Sequence, residues 1–209
     1  MHVLALYAAT PQPFGPRGAP SSIIKSPVPF LSVNSNGTEQ DEQGNKKLHG
    51  GPEKVLHQYS LKNYELLRAH YPDNAFEAGS IGENILVEGM EDDTVFIGDI
   101  WQFGEVILQV SAPRAPCNKI SHRYEIKNLD RFVGEHGATG WYYRVLQTGT
   151  LRVNDDVRLL ERADVTVSVR DLMQCTYNKS DKDAARAYAI LPVLDDEWRI
   201  KCEKVATKS

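Results

Sequence analysis

Residues 97–120 run IGDIWQFGEVILQVSAPRAPCNKI, two strand-like runs followed by a stiff corner. The runs are short, rich in β-branched and aromatic residues, and parted at Gly104 and Glu105, as strands joined by a turn are. In the second run Val106, Leu108 and Val110 alternate, which presents one buried face at the two-residue period of a strand. The run ends at Pro113 and Pro116, whose fixed φ holds the corner at little entropic expense. Cys117 stands on that corner between Arg114 and Lys119, so the thiol is either packing material or chemistry.

Outward from this stretch the same signals recur. HVLALYAA (2–9), ENILVEG (83–89), WYYRVL (141–146), TLRV (150–153) and DVRLLER (156–162) each predict a strand. Many short strands at close spacing predict a mainly-β domain over residues 1–162, a barrel or folded sheet rather than a doubly wound one. Two helices interrupt it. Ser60 can cap the first, with Leu61, Tyr64, Leu67 and Tyr71 on one face and Pro72 as its stop. The second is expected near 126–136, ended by Gly137. Residues 11–52 are rich in Gly, Pro, Ser and Asn with little periodicity, and so long a loop is uncommon unless it lines a site.

Beyond Arg162 the pattern turns helical. Ser168 can cap a helix carrying Val169, Leu172 and Met173. Ser180 with Asp183 resembles a capping box ahead of AARAYAIL, which Pro192 terminates. Asp195 can cap a third helix with Trp198, Cys202 and Val205 on one face. Residues 163–209 therefore read as a small three-helix domain, too small to stand alone, that packs on the β domain or on a partner subunit.

Bulk properties narrow the function classes. A chain of 209 residues with 41% hydrophobic content fits one domain, or one domain with an appendage. The formal charge of −4 argues against general nucleic-acid binding while leaving room for a local basic pocket. No apolar run approaches the ~18 residues of a membrane span, and the start carries no trusted cleavage pattern, so the expected location is the cytoplasm. Three cysteines at 117, 175 and 202 form neither a disulfide framework nor a paired-CxxC zinc site. They are too few for an all-cysteine iron–sulfur cluster. Cys175 and Cys202 lie on amphipathic helical faces and are expected in the core.

The motifs that bear chemistry are then few. Arg114 and Lys119 beside Cys117 would favour the thiolate, which is both nucleophile and soft metal ligand. In KKLHGGPEK (46–54), Gly50 and Gly51 can expose backbone N–H groups to an anion, with Lys46, Lys47, Lys54 and His49 adding charge or donors. Taken alone, that motif is better explained as a glycine turn with a solvated basic flank. Glu83 and Asn84 open a strand after a glycine, which alone is an ordinary turn. His49 and His57, eight apart, are a weak metal signal.

GTEQDEQGNKKLHGGPEK, GENILVEG, the quoted stretch and GWYYRVLQTG follow one another in the order and spacing of the MOSC-domain family. The pattern resembles its YiiM-like subgroup of 6-hydroxylaminopurine resistance proteins over roughly residues 1–162, and the tail resembles that subgroup's C-terminal three-helix domain. Gln40 stands where the family usually has glycine. The resemblance implies a β-barrel-like MOSC domain binding the molybdenum cofactor, with Cys117 as metal ligand and catalytic group. It implies cofactor contacts from His49, Gly50, Gly51, Glu83, Asn84, Arg114 and Lys119. The implied reaction is oxygen-atom removal from N-hydroxylated purines or amines, with a proton from His49, Glu83 or a water. Electrons would come from a separate flavin- or iron–sulfur-containing donor. Pyridoxal phosphate is not expected, no nucleic acid or membrane is implied as a partner, and a homodimer is compatible. A cofactor carrier or a sulfur-transfer protein is the alternative, and a non-catalytic binding module a third reading.

Overall fold

The computed structural model describes residues 1–44, 50–162, 164, 166–179 and 181–208. Its strands are β1 (Val3–Ala8), β2 (Gln12–Phe14), β3 (Ala19–Ser21), β4 (Ser26–Val28), β5 (Phe30–Asn34), β6 (Gly37–Thr38), β7 (Leu56–Gln58), β8 (Ile85–Val87), β9 (Ile100–Phe103), β10 (Val106–Pro113), β11 (Trp141–Gln147), β12 (Gly149–Arg152) and β13 (Val157–Glu161). Its helices are α1 (Leu61–His70), α2 (Lys119–Tyr124), α3 (Leu129–Glu135), α4 (Val169–Asn178), α5 (Lys182–Ala189) and α6 (Asp196–Thr207).

The quoted stretch forms the antiparallel pair β9–β10, with Leu108 opposite Trp101 and Val106 opposite Phe103. Val106, Leu108 and Val110 are fully buried, so the alternation marked the inner face. They share a core with Trp141 and Tyr143 of β11, which pairs with β10 on its other side. Burying each such side chain stabilises the fold by roughly 1.5–3 kcal/mol before entropy is counted. The main sheet has eight strands in the order β13-β9-β10-β11-β7-β8-β1-β4. By ladder it is open, with β13 and β4 as end strands, and one isolated bridge joins His2 to Asp156 ahead of β13. The domain is thus mostly sheet with helices inserted, without a continuous ladder closing it into a barrel among the described residues.

Residues 11–52 are more regular than their composition predicts. They hold β2 to β6, of which β2 and β3 form a hairpin and β5 and β6 a small sheet with β12. These strands are two to five residues long, and β2, β3 and β4 contain Pro13, Pro20 and Pro27. Runs so short show no period, and proline confines a strand to edges.

The helices follow their caps. Ser60 Oγ accepts from Asn63 N at 3.2 Å at the start of α1, and Tyr64 and Leu67 are buried. Ser168 Oγ accepts from Asp171 N at 3.0 Å, and Asp195 accepts from Glu197 N and Trp198 N. Ser180 lies outside the described residues; the cap of α5 is Asp181, which accepts from Ala184 N at 2.8 Å. The helix expected near 126–136 starts at Leu129, because Asn128 is left-handed at φ 62°. The short α2 was not predicted.

The C-terminal helices pack on the sheet. Leu172, Met173, Trp198 and Cys202 belong to the same core as Trp101 and Trp141, while Cys175, Ala185 and Val205 form a satellite among α4, α5 and α6. Cys175 and Cys202 are buried, as their helical faces predict.

Candidate functional site

Past Pro113 the chain leaves β10 and is pinned at once, Arg114 N donating to Gly140 O at 2.9 Å beside the start of β11. The corner then runs into α2, where Ile120 N donates to Cys117 O at 3.1 Å. Cys117 is half-buried, with Sγ 3.7 Å from Asn118 Oδ1. It lines a recess of ≈ 600 Å³, a figure that includes the mouth open to solvent.

Four cations line the same recess: Lys25, Lys54, Arg114 and Lys119, against the single carboxylate of Asp41 among the described lining residues. Arg114 is 8% exposed and the Lys25 side chain 5%. Lys25 and Asp41 form a buried ion pair, and Asp41 is itself fixed by Ala9 N at 2.8 Å. Burial pushes the Lys25 ammonium down from its ordinary value, opposed chiefly by Asp41. Lys54 bonds Glu197 of α6, and Lys119 Nζ donates to Pro20 O at 2.9 Å, tying α2 to the β2–β3 hairpin. Gly44 completes that wall, where a Cβ would strike the backbone of Pro20 and Ser21.

His57 of β7 and Tyr142 of β11 form another part of the lining. Burial, and then the Arg114 charge, hold His57 well below its ordinary value, so the ring is neutral at pH 7. Nε2 lies 3.3 Å from Thr139 O, and backbone contacts to Thr139 and Gly82 partly oppose the fall. Burial raises the Tyr142 phenol, and Arg114, which hydrogen-bonds it, works against that rise. The recess therefore offers one soft sulfur and several fixed cations. That is a setting for an anion joined to a polar heterocycle. Among the described residues no three His, Cys, Asp or Glu side chains cluster as metal ligands, so any metal held here would bring other ligands with it.

Of the residues predicted for the site, the structure gathers Cys117, Arg114, Lys119 and Asn84 at one recess. The Asn84 amide is partly committed, Oδ1 accepting from His57 N at 3.1 Å and Nδ2 donating to Tyr7 O at 3.1 Å. Glu83 is fully buried and is not among the recess-lining residues; it accepts from Tyr64 Oη at 2.5 Å, Gly79 N at 2.6 Å and Ile81 N at 3.2 Å, so its carboxylate holds a loop. Gly50 and Gly51 are also off the recess lining; Gly51 borders a neighbouring hollow. His49 lies outside the described residues, as do Lys46 and Lys47. Lys25, Asp41 and Tyr142 were missed. Tyr142 had a signal, since strand alternation turns it away from the core-facing Trp141 and Tyr143.

Residues 45–158 match the family model described as MOSC domain. The chain belongs to the MOSC domain family. Within it the YiiM-like subgroup is indicated by protein YiiM of Escherichia coli (strain K12), 36% identical over 156 residues that cover 73% of this chain and 70% of that one. The crystal structure of YiiM from Geobacillus stearothermophilus superposes with a TM-score of 0.82 at 26% identity, over 99% of each chain. A protein of Gibberella moniliformis named reductase is 39% identical over 117 residues, 54% of this MOSC chain but only 21% of that longer protein.

Proposed function

We propose that this MOSC protein binds the molybdenum cofactor in the Cys117 recess and reduces N-hydroxylated purines and amines. The observation that carries the reading is Cys117 opening into one recess with Lys25, Lys54, Arg114 and Lys119. The groups present fit that cofactor. A thiolate is a suitable soft ligand for its metal, and arginine with lysines suits its terminal phosphate. When bound, the cofactor supplies the oxygen acceptor and relays electrons. Overall, an N-hydroxylamine takes up two electrons and two protons, the N–O bond breaks, and amine and water leave.

Cys117 holds the metal in this reading, and the recess cations hold the anionic end. With Glu83 committed elsewhere, Lys25 becomes the candidate proton donor, since burial lowers its hold on a proton and it borders the recess. In this reading electrons arrive from a flavin- or iron–sulfur-containing donor. A cytoplasmic location and a domain boundary at residue 162 belong to the same proposal. No described helix is long and apolar enough to cross a membrane.

The test is analysis of protein expressed in a cofactor-competent host for molybdenum and oxidised-pterin fluorescence, with turnover of 6-hydroxylaminopurine. Bound cofactor, turnover, and loss of turnover in Cys117→Ser with an unchanged unfolding midpoint are expected. Absence of molybdenum would overturn the reading. Bound cofactor without turnover under any electron donor would favour the carrier or sulfur-transfer alternative.

A further inference from the structure

A second concavity lies on the far side of the Cys117 corner. Ala115 and Pro116 border it, together with α3 and the C-terminal helices α4 and α6. Five cations line it, Arg131, Lys179, Lys201, Lys204 and Lys208, against the carboxylates of Asp130 and Glu135 among the described lining residues. Arg131 is spent on Glu135 at 2.7 Å, and Lys201 on Glu197 at 2.7 Å and on the face of Trp198 at 4.2 Å. Lys179, Lys204 and Lys208 are exposed and make no ion pair among the described residues.

We infer that this groove is the docking surface for an acidic electron-carrier protein that reduces the Cys117 site. The inference rests on the reading under Proposed function, and three observations carry it further. The chain is acidic overall at −4, so its net charge does not draw in an acidic carrier, and a local basic surface then sets both rate and orientation of encounter. The free lysines stand at two helix ends, Lys179 as the C-cap of α4, Lys204 in the last turn of α6 and Lys208 as its C-cap. Point charges on flexible stems suit a weak, steered protein contact, whereas bidentate phosphate recognition is the property of arginine. The groove also meets the same Ala115–Pro116–Cys117 corner that borders the recess, so a carrier seated there lies one turn of chain from the thiol. Electron tunnelling falls steeply with distance, which makes that proximity the useful feature. The carrier gives up its two electrons there, and two protons enter from solvent for each N–O bond broken.

The experiment compares wild-type holoprotein with Lys204→Glu/Lys208→Glu, reducing 6-hydroxylaminopurine with a flavodoxin-type acidic carrier or with reduced methyl viologen. At low ionic strength the carrier-driven rate falls about tenfold or more in the variant and converges with wild type as salt is added. The viologen-driven rate stays unchanged, which also shows that the variant is folded and loaded. Equal carrier-driven rates in the two proteins would overturn the inference. So would a raised KM for a nucleotide substrate with the carrier rate untouched, which would make the groove a small-anion site. If wild type shows no viologen-driven turnover, the functional reading fails. Docking is then read by titrating the oxidised carrier onto both proteins, and equal affinity overturns it.

Discussion

Lys54 Nζ lies 2.5 Å from Glu197 Oε2, a bond between the recess and a helix 143 residues further along the chain. Glu197 Oε1 holds Lys201 at 2.7 Å from its other side, and the preceding residue of the recess loop, Glu53, is bound by Arg144, which also bonds Val193 O at 2.7 Å. The C-terminal segment is therefore part of the scaffold that aims a recess cation.

Glu197→Gln keeps the size of the side chain and removes its charge. Burial alone would raise the Glu197 carboxyl, but the bonds to Lys201 and Lys54 outweigh it and hold the group at about 2. Because the folded value is depressed, the stabilisation is present above the unfolded value near ~4.3 and is lost as pH falls toward 2. Glu197 is 44% exposed, so solvent screening keeps its worth to about 1 kcal/mol or less. Urea midpoints of wild type and Glu197→Gln should differ slightly at pH 7, draw together as pH falls below ~4, and converge only at about pH 2. Retention of the bound anion or cofactor should weaken several-fold at pH 7.

Asp92 gives a pH effect of opposite sign. It is fully buried, accepting from Gly140 N at 2.8 Å, Thr139 N at 3.2 Å and Asn63 Nδ2 at 2.7 Å, yet burial still pushes its carboxyl up to about 6. The native state binds this proton more tightly than the unfolded chain. The contribution is thus fully present below the unfolded value near ~3.9 and lost as pH rises through 6. His57, held below its ordinary value, acts the other way as pH falls below ~6.5. The wild-type profile between pH 4 and 7 is their difference, and Asp92→Asn should change its slope by on the order of 2 kcal/mol, toward lower relative stability in acid. Unfolding free energies at pH 4.5 and 7 check this.

Glu83 separates structure from catalysis. Glu83→Ala strands the Tyr64 hydroxyl proton and the Gly79 amide and leaves the Ile81 amide only its longer bond to Tyr64 Oη, and should cost on the order of 3 kcal/mol. Glu83→Gln retains an acceptor and should keep wild-type KM and cofactor content. A raised KM in Glu83→Gln at unchanged stability would return this residue to the site.

Gly140 shares its backbone between two partners, its N–H bonding Asp92 and its carbonyl accepting from Arg114 N. It sits at φ +68°, and a Cβ there would collide with Gln58 O and crowd His57 Nε2. Gly140→Ala should destabilise by about 2 kcal/mol or more. Amide exchange should rise at Arg114 and His57 before it rises in β9.

What could be read ahead of the coordinates was whatever repeats or stiffens. Val106, Leu108 and Val110 announced β10 because alternation is a local property, and Pro113 and Pro116 announced the corner because φ is fixed by covalent structure. Strands β2 to β4 escaped notice because three residues around a proline have no period. Lys25 and Asp41 escaped because a lone lysine and a lone aspartate mean nothing until folding pairs them; only the aperiodic stretch holding both was flagged. Glu83 was ambiguous for the converse reason: a carboxylate after a glycine binds a backbone turn as readily as a ligand. Its three partners come from two segments that local sequence does not connect.

The reach of the Lys54–Glu197 bond also sets an order of events during synthesis. The strands around the recess are complete once residue 161 has emerged, yet Lys54 has no Glu197 to meet until α6 has followed them out of the ribosome. A nascent chain halted before α6 would carry the thiol and most of the cations without the brace that aims Lys54, so the recess acquires its final geometry only after its strands are in place.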